Sequence, residues 1–333
     1  MKNEETTNMP EFRRDPISGD WVLLAPARGS GHEFRERIKA DLPKDKCPFE
    51  NPAKFDNAPP VLVYQNDAGD DWFLQIIPNK YPAVESRDIK STITGEVFES
   101  QAGVGFHEIV IYRDHNRYLA DFSREEIKRV LSAFQERYKS LAQESFIKYI
   151  SIFHNHGKEA GSTVPHPHSQ ILALPILPPD ISRDIDGSRR YFHEHGQCAH
   201  CHMLDQEIKD GTRIIYQNEQ MIVIAPFASK AEAEVRIFPK KHFAYFEKAG
   251  EEELIQLADA MKFTFSRIFE KLNDPAFNFF IHTAPTGDSD NHEHYHWHME
   301  ILPKFDIIGG FELGTGLDII AMAPEKAAEI LRK

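Results

Sequence analysis

Apolar residues along the 333-residue chain fall into two kinds of pattern. Short apolar blocks read as strands. "DWFLQIIPNKYPAV" is closed by Pro78 and Asn79, and in "GFHEIVIYRDHNRYL" Ile109 and Ile111 point to one side and Val110 to the other. "KYISIFHN" and "HSQILALP" continue the series. Between the second and third blocks the period changes to that of a helix. Ser123 and Glu126 form a capping-box pair, and Ile127, Val130, Leu131, Phe134, Tyr138 and Leu141 follow as one apolar stripe. Residues 41–60, rich in Pro, Lys and Asn, read as loop.

The same order then returns. "MIVIAPF" and "VRIFPKKH" are predicted strands, the second ending in His242. A helix follows with Leu254, Leu257, Met261, Phe265, Ile268 and Leu272 on one face, and then strands in "FNFFIHTAP" and "HYHWHMEILP". His242 lies 127 residues after His115, which closes the matching strand of the first half; His296 lies 130 residues after His166. Both halves carry His-x-His-x-(Gln/Glu) followed by an apolar residue and Leu. This implies an internal duplication with a unit of about 130 residues, too long for a solenoid repeat. The expectation is an α+β fold in two tandem halves, residues 1–175 and 176–333, each an antiparallel sheet with one long packed helix.

Composition narrows the function. Hydrophobic residues at 41% suffice for a packed core. A formal net charge of -13 argues against a nucleic-acid binder, which needs a basic surface, but leaves room for a local pocket for a phosphorylated small molecule. The polar N-terminus lacks the apolar region of a secretory signal, and no stretch reaches the roughly 18 apolar residues of a membrane span. Three cysteines, Cys47, Cys198 and Cys201, do not make a disulfide framework. A soluble, cytoplasmic protein with reduced thiols is expected. The 17 histidines are the main clue.

Cys198-Ala-His-Cys201 has the spacing of two thiolates on one tetrahedral zinc. A thioredoxin-like redox pair, which would open a helix after a strand, and two ordinary thiols are the competing readings. The duplication points to His242 and His296 as the remaining ligands, with His282 and His298 in reserve. Cys47, Glu50, His115 and His166 repeat the layout in the first half, with Glu50 where a second cysteine is expected; a decayed, empty site is the alternative. His292-Glu293-His294-Tyr295-His296 formally spells the zinc-peptidase signature. That chemistry needs both histidines on one helix face, whereas this segment runs from "TGDSDN" into a strand, so a chance match is expected.

In a strand, His166, His168 and Gln170 line one face. His166 can then hold a metal while His168 presents a bare imidazole, a capable nucleophile toward phosphorus. A backbone carbonyl in the His-Pro-His turn can fix its tautomer, and Gln170 can donate to a phosphate oxygen. A polar cleft without chemistry is the alternative.

"HPHSQ" resembles the active-site motif of the histidine-triad superfamily, and the two-half layout with its cysteines resembles the galactose-1-phosphate uridylyltransferase branch. The likeness runs through "RRDPISGDWVLLAPAR", "CPFE", "IIPNKYPA", "HNHGKEAGSTVPHPHSQ", "NDPAFNFFIHTAPTG", "HYHWHMEILP" and "GGFELGTG", nearly the whole chain. It implies two histidine-triad-like halves, one or two Zn2+ per chain, and a homodimer whose sites borrow residues across the interface. It implies a nucleotide sugar and a sugar 1-phosphate as substrates, with no nucleic-acid or membrane partner. His168 would attack the α-phosphorus in a ping-pong reaction, Gln170 would steady the phosphate oxygens, and His166 would be metal-bound scaffolding. Asn155, Gly161, Ser162 and Thr163 match the phosphate-side loop, Arg28 and Asn79 positions near the phosphates and nucleoside, and Glu312 the hexose side. Ser169 stands where the uridylyltransferases carry glycine, and no glutamine follows Glu312; both resemble a sister group of adenylyltransferases acting on ADP-sugars as phosphorylases. The first reading is UDP-glucose–hexose-1-phosphate uridylyltransferase, with an ADP-sugar phosphorylase as the alternative. A histidine-triad hydrolase is less favoured, because Ile171 follows Gln170 where those enzymes carry a third histidine.

Overall fold

The computed structural model of the chain describes residues 9–29, 34, 36–38, 41–86, 92–94, 97–287, 292–305 and 308–333. Most of the polar N-terminal segment and part of "TGDSDN" lie outside the described residues. The first half runs β1 (Glu11–Arg14), β2 (Trp21–Leu24), β3 (Leu62–Gln65), β4 (Trp72–Pro78), β5 (Thr92–Thr94), β6 (Glu99–Gln101), β7 (Phe106–Tyr112), α1 (Arg124–Leu141), β8 (Tyr149–His156) and β9 (His168–Leu174). The second runs α2 (Pro179–His195), α3 (Ala199–Asp210), β10 (Ile214–Gln217), β11 (Met221–Ile224), β12 (Val235–Pro239), α4 (Glu251–Lys271), β13 (Ala276–His282), β14 (His298–Lys304), α5 (Gly310–Thr315), β15 (Asp318–Ile320) and α6 (Pro324–Arg332).

The duplication is written into one sheet. Ten strands stand in the order β10-β11-β12-β14-β13-β8-β9-β7-β4-β3. Outward from the β8–β13 seam, each half contributes five strands in the same sequence of roles. The seam is antiparallel and runs from Phe277 opposite His156 to Ile281 opposite Ile152. The α+β class holds, and the two halves share a continuous sheet. Among the described residues, no helix is long and apolar enough to cross a membrane.

Both long helices lie on one face of that sheet. Ser123 accepts from the Glu126 amide while Glu126 accepts from the Ser123 amide, closing the expected capping box. The α1 stripe of Ile127, Val130, Leu131, Phe134 and Tyr138 is fully buried against Val110, Tyr112, Ile150 and Ile152. On α4, Leu254, Leu257, Met261, Phe265 and Ile268 meet Phe279, Trp297 and Ile301 in the same core. Gln135 of α1 donates to the carbonyls of Phe246 and Ala249 just ahead of α4, which ties the two covers together. Smaller clusters cover the opposite face: Cys47, Phe49, Ile77, Ile109 and Ile111 in the first half, and Leu204, Ile222, Ile224 and Phe238 in the second. Ile109 and Ile111 therefore face away from Val110, as their alternation predicts.

The strand ends differ from expectation. β7 stops at Tyr112 and β12 at Pro239, so His115 and His242 lie three residues beyond the strands, in turns. β9 and β14 begin at His168 and His298, so His166 and His296 precede them. Each turn carries its imidazole out of the hydrogen-bond ladder and toward a cysteine.

Candidate functional site

His168 opens β9, where the sheet rim meets the loop that follows β8. Its Nδ1–H donates to the His166 carbonyl at 2.9 Å, which leaves the Nε2 lone pair bare. Burial pushes its pKa below the usual imidazole value, partly offset by that carbonyl bond, so the ring is neutral near pH 7. Phe49 packs edge-on against it at 5.0 Å between centroids and touches His166 at 6.1 Å, which fixes both rings on one side of the sheet. Gln170, two residues on, shares the His168 face.

A cavity of about 530 Å³ opens beside His168 and is lined by Asn155, Lys158, Gly161, Ser162 and Thr163 among others. Two glycines let the loop approach so closely. Gly157 has φ +86, and a Cβ there would lie 2.7 Å from the Ala276 Cβ; Gly161 has φ +88 beside the Asn155 amide. The Asn155 Oδ1 accepts from Asn278 across the seam at 2.8 Å, which turns the Asn155 nitrogen toward the loop. The Ser162 amide closes onto the Gly157 carbonyl and its hydroxyl onto the Val164 carbonyl. Asn155, Gly161, Ser162 and Thr163 are thus brought together beside His168.

Asn79 follows β4 and anchors its amide N–H on the His107 carbonyl at 2.8 Å. Four residues assigned from the sequence, Asn79, Gln170, Arg28 and Glu312, do not line the cavity. Arg28 is exposed in the short turn after β2, and Glu312 is half-buried in α5. These last two flank a separate three-stranded sheet of β1, β2 and β15, far from the seam in chain topology.

Two cysteine–histidine groups fill the far face. Sγ atoms of Cys198 and Cys201 and nitrogens of His242 and His296 all lie within 4.8 Å of one another. The Glu293 carbonyl accepts from His242 Nε2–H, so Nδ1 points at Cys201 from 3.3 Å. The neighbouring Cys201 thiol holds the Cys198 pKa far below the usual thiol range, against burial, which raises it, with His200, His242 and His296 adding to the lowering. Cys198 caps α3 and Cys201 sits in its first turn, so the motif opens a helix, one of the two features a redox pair would require. The redox arrangement still fails, because a helix and not a strand precedes it and two histidines converge on it. His282 and His298, the reserves, stand apart from it in a group with Glu300.

Cys47, His115 and His166 form the first-half group. The His115 and His166 Nε2 atoms donate to the carbonyls of Leu42 and Tyr112. Their Nδ1 lone pairs therefore converge at 3.0 Å, and Glu50 Oε2 lies 3.3 Å from that of His115, buried without a hydrogen bond. Burial lowers the His166 pKa to about 4, so protonation does not resolve the crowding. Lone pairs and an unpaired carboxylate oxygen aimed at one point suit a divalent cation. Glu50 also accepts from Arg113 through its other oxygen at 3.1 Å.

The pseudo-symmetric partner of His168 is His298, whose Nδ1–H donates to the His296 carbonyl at 3.1 Å. There Glu300 replaces Gln170 and pairs with Arg236 at 2.9 Å. The second half thus carries an ion pair where the first carries a neutral amide. The sequence reading of the peptidase signature is settled as well, since His292–His294 form a turn.

Two family models cover the chain: the N-terminal domain of galactose-1-phosphate uridyl transferase over residues 1–178 and its C-terminal domain over residues 184–333. The chain belongs to the galactose-1-phosphate uridylyltransferase family. An ADP-glucose phosphorylase of Arabidopsis thaliana is 34% identical, covering 97% of this chain and 93% of that protein. A galactose-1-phosphate uridylyltransferase of Thermotoga maritima is 29% identical, covering 98% of each. Among solved structures, an Arabidopsis thaliana ADP-glucose phosphorylase with bound ADP-glucose superposes with a TM-score of 0.82 at 32% identity, covering 98% of this chain and 99% of that one. A uridylyltransferase structure gives 0.75 at 27% identity, covering 97% of each.

Within this family member, two more residues bear on the site: Ser169, singled out in the sequence, and His107, which sequence reasoning passed over. Ser169 is fully buried and faces away from His168; its hydroxyl meets the Tyr112 hydroxyl at 2.6 Å and His154 Nδ1 at 3.0 Å. It does not line the cavity itself, although His154, to which it bonds, does. His107, read only as part of a strand, bonds the Gln170 amide. Its signal was a polar residue at the period-2 position of an apolar strand, on the face that holds Ile109 and Ile111.

Proposed function

We propose that this chain transfers a nucleoside monophosphate between sugar phosphates through a nucleotidyl-histidine at His168. The single observation that carries this is the bare Nε2 of a buried, neutral His168 at the cavity lined by Asn155, Gly157, Lys158, Gly161, Ser162 and Thr163, with Gln170 on the same face of β9. The Nε2 lone pair attacks the α-phosphorus of a nucleotide sugar. A P–N bond forms as the P–O bond to the β-phosphate breaks, and the electron pair leaves with the sugar 1-phosphate. In the second step an oxygen of the incoming phosphate acceptor attacks the same phosphorus and the P–N bond breaks. Gln170 and the Asn155 amide donate to non-bridging oxygens as charge builds there. The intermediate divides one displacement into two and conserves the energy of the nucleotide bond.

Zinc suits both cysteine–histidine groups: Cys198, Cys201, His242 and His296 in the second half, Cys47, Glu50, His115 and His166 in the first. Bound there, zinc would serve a structural role: His166, before β9, and His115, after β7, would hold it with Cys47 and Glu50, and His166 would act as scaffold for His168. Reduced thiols at both groups suit a cytoplasmic setting. A homodimer gives Arg28 and Glu312 a role, because a second copy can bring an exposed arginine and a half-buried glutamate to a cavity that its own chain leaves open.

Uridylyl transfer from UDP-glucose to galactose 1-phosphate is the first reading, supported by the two family models and by the Thermotoga maritima relative. An ADP-glucose phosphorylase is the second, supported by the likeness to the Arabidopsis thaliana protein and structure. Initial rates with UDP-glucose and galactose 1-phosphate, and separately with ADP-glucose and inorganic phosphate, separate them. Parallel double-reciprocal lines are expected for the true pair. Intersecting lines with both pairs would contradict a covalent intermediate.

A further inference from the structure

His107 lies outside the His168 motif, yet its ring is wired into it. The backbone N–H of Ala83 donates to His107 Nδ1 at 3.1 Å. A ring nitrogen that accepts from a backbone amide carries no proton. In the neutral ring the proton then sits on Nε2, and that atom lies 2.8 Å from Gln170 Oε1. The chain of donors starts from a backbone amide that cannot reverse, so the sense of every bond after it is set. Gln170 must offer its oxygen to His107, and its NH2 group is turned the other way. Among the described residues that NH2 makes no hydrogen bond with protein. A flipped amide would set its NH2 against the Nε2–H, donor against donor.

The ring itself is held. With the proton on Nε2, which lies 3.3 Å from it, the Asn79 amide nitrogen can donate only to Nδ1, at 3.5 Å, and the Asn79 oxygen is engaged by the Tyr81 amide at 2.9 Å. The Asn79 backbone N–H reaches the His107 carbonyl. Register supplies the rest: His107 lies opposite Leu172 and Ile109 opposite Gln170, so His107 and Gln170 are diagonal neighbours on one face.

We propose that His107 is a positioning residue for the reaction, which fixes the amide of Gln170 so that its NH2 is presented to the phosphate oxygens. The inference rests on the transfer reading above. It makes Asn79 a support of this clamp, and it predicts an effect on the chemical step and not on substrate capture. The expected result is that His107→Leu lowers kcat about tenfold or more with KM changed less than about threefold. His107→Gln, whose amide can donate from near the Nε2 position, should retain kcat within about threefold of the wild type. In a Gln170→Ala background, His107→Leu should cause no further loss, because the amide it positions is gone. An equal loss in both backgrounds, or a His107→Gln variant as slow as His107→Leu, would overturn the proposal. Ring 15N shifts of the substrate-free protein provide a test independent of turnover: the Nε2–H tautomer is expected for His107, and the Nδ1–H tautomer would overturn the assignment. A wild-type protein inactive with every donor would count against the transfer reading, while the tautomer would still decide the arrangement of His107.

Discussion

His168 and Ser169 are adjacent in the chain and face opposite sides of the sheet, and this decides what each can do. His168 has its pKa lowered by burial, so its folded value lies below the ordinary 6.5. Protonation fills the attacking lone pair, so activity should be level above about pH 6.5 and fall only at lower pH. A kcat/KM profile for the donor should show an acidic limb with an apparent pKa below about 6.5; a limb above neutrality would contradict the buried, neutral ring. Ser169 holds the hydroxyl of Tyr112 and the ring of His154 behind the sheet. Ser169→Gly should therefore destabilise the protein by about 2 kcal/mol, by leaving two buried groups unpaired. The same variant should shift the UDP-sugar to ADP-sugar preference by less than about threefold. Denaturant titration and paired kcat/KM values measure both. The motif residues were legible because period-2 alternation places His168 and Gln170 together from sequence alone. The same alternation puts Ser169 on the other face, but its partners Tyr112 and His154 come from other strands and were not legible. His107 escaped because a long-range bond to Gln170 leaves no local pattern.

The elements were the most legible level. The capping box at Ser123 and the stripe from Ile127 to Leu141 gave α1 its start, its face and its length, because helix signals are local. Phe134 sits at the centre of that stripe and is fully buried. Phe134→Ala should cost about 3–5 kcal/mol, read from a denaturation midpoint, with the far-UV helical signal kept below the transition. A loss under about 1 kcal/mol would mean that α1 is not packed as described. Strand ends were less legible. His115 and His242 were expected to end strands, and they lie in turns because each ring must leave the ladder to meet a cysteine. The helix opened by Cys198 was missed because the apolar period of α3 is weak and its cap is a cysteine, which carries no ordinary capping signal.

At the scale of the molecule, the offsets of 127 and 130 residues between matching histidines became two five-stranded halves fused at one seam. That the halves join edge to edge was not legible, since pairing of β8 with β13 depends on residues 120 or more apart. Metal content follows from the duplication. Elemental analysis should find two zinc per chain, and Cys198→Ser should leave one and lower the melting temperature. An unchanged metal content in that variant would refute the second-half ligand set. The pH dependence of stability also belongs to the whole fold. Burial lowers the pKa of His154, His156, His294 and His298, the last two to about 4 and about 3. His242, raised first by its bond to Cys198, acts in the opposite sense. The unfolded chain takes up protons near pH 6.5 that the folded one refuses, so this stability is complete above about 6.5 and is lost as pH falls toward about 4. Denaturant midpoints at pH 7.5, 6 and 5 (on the order of the window) should fall in that order; a rise toward pH 5 would contradict it.

The central claim is that one imidazole carries the nucleotide. Its most direct test is mass spectrometry of the protein after incubation with UDP-glucose and, separately, ADP-glucose, quenched at alkaline pH. The account predicts an acid-labile nucleoside monophosphate on His168 from at least one donor, absent in a folded His168→Gly variant. No adduct from either donor, or an adduct that persists in His168→Gly, would contradict it.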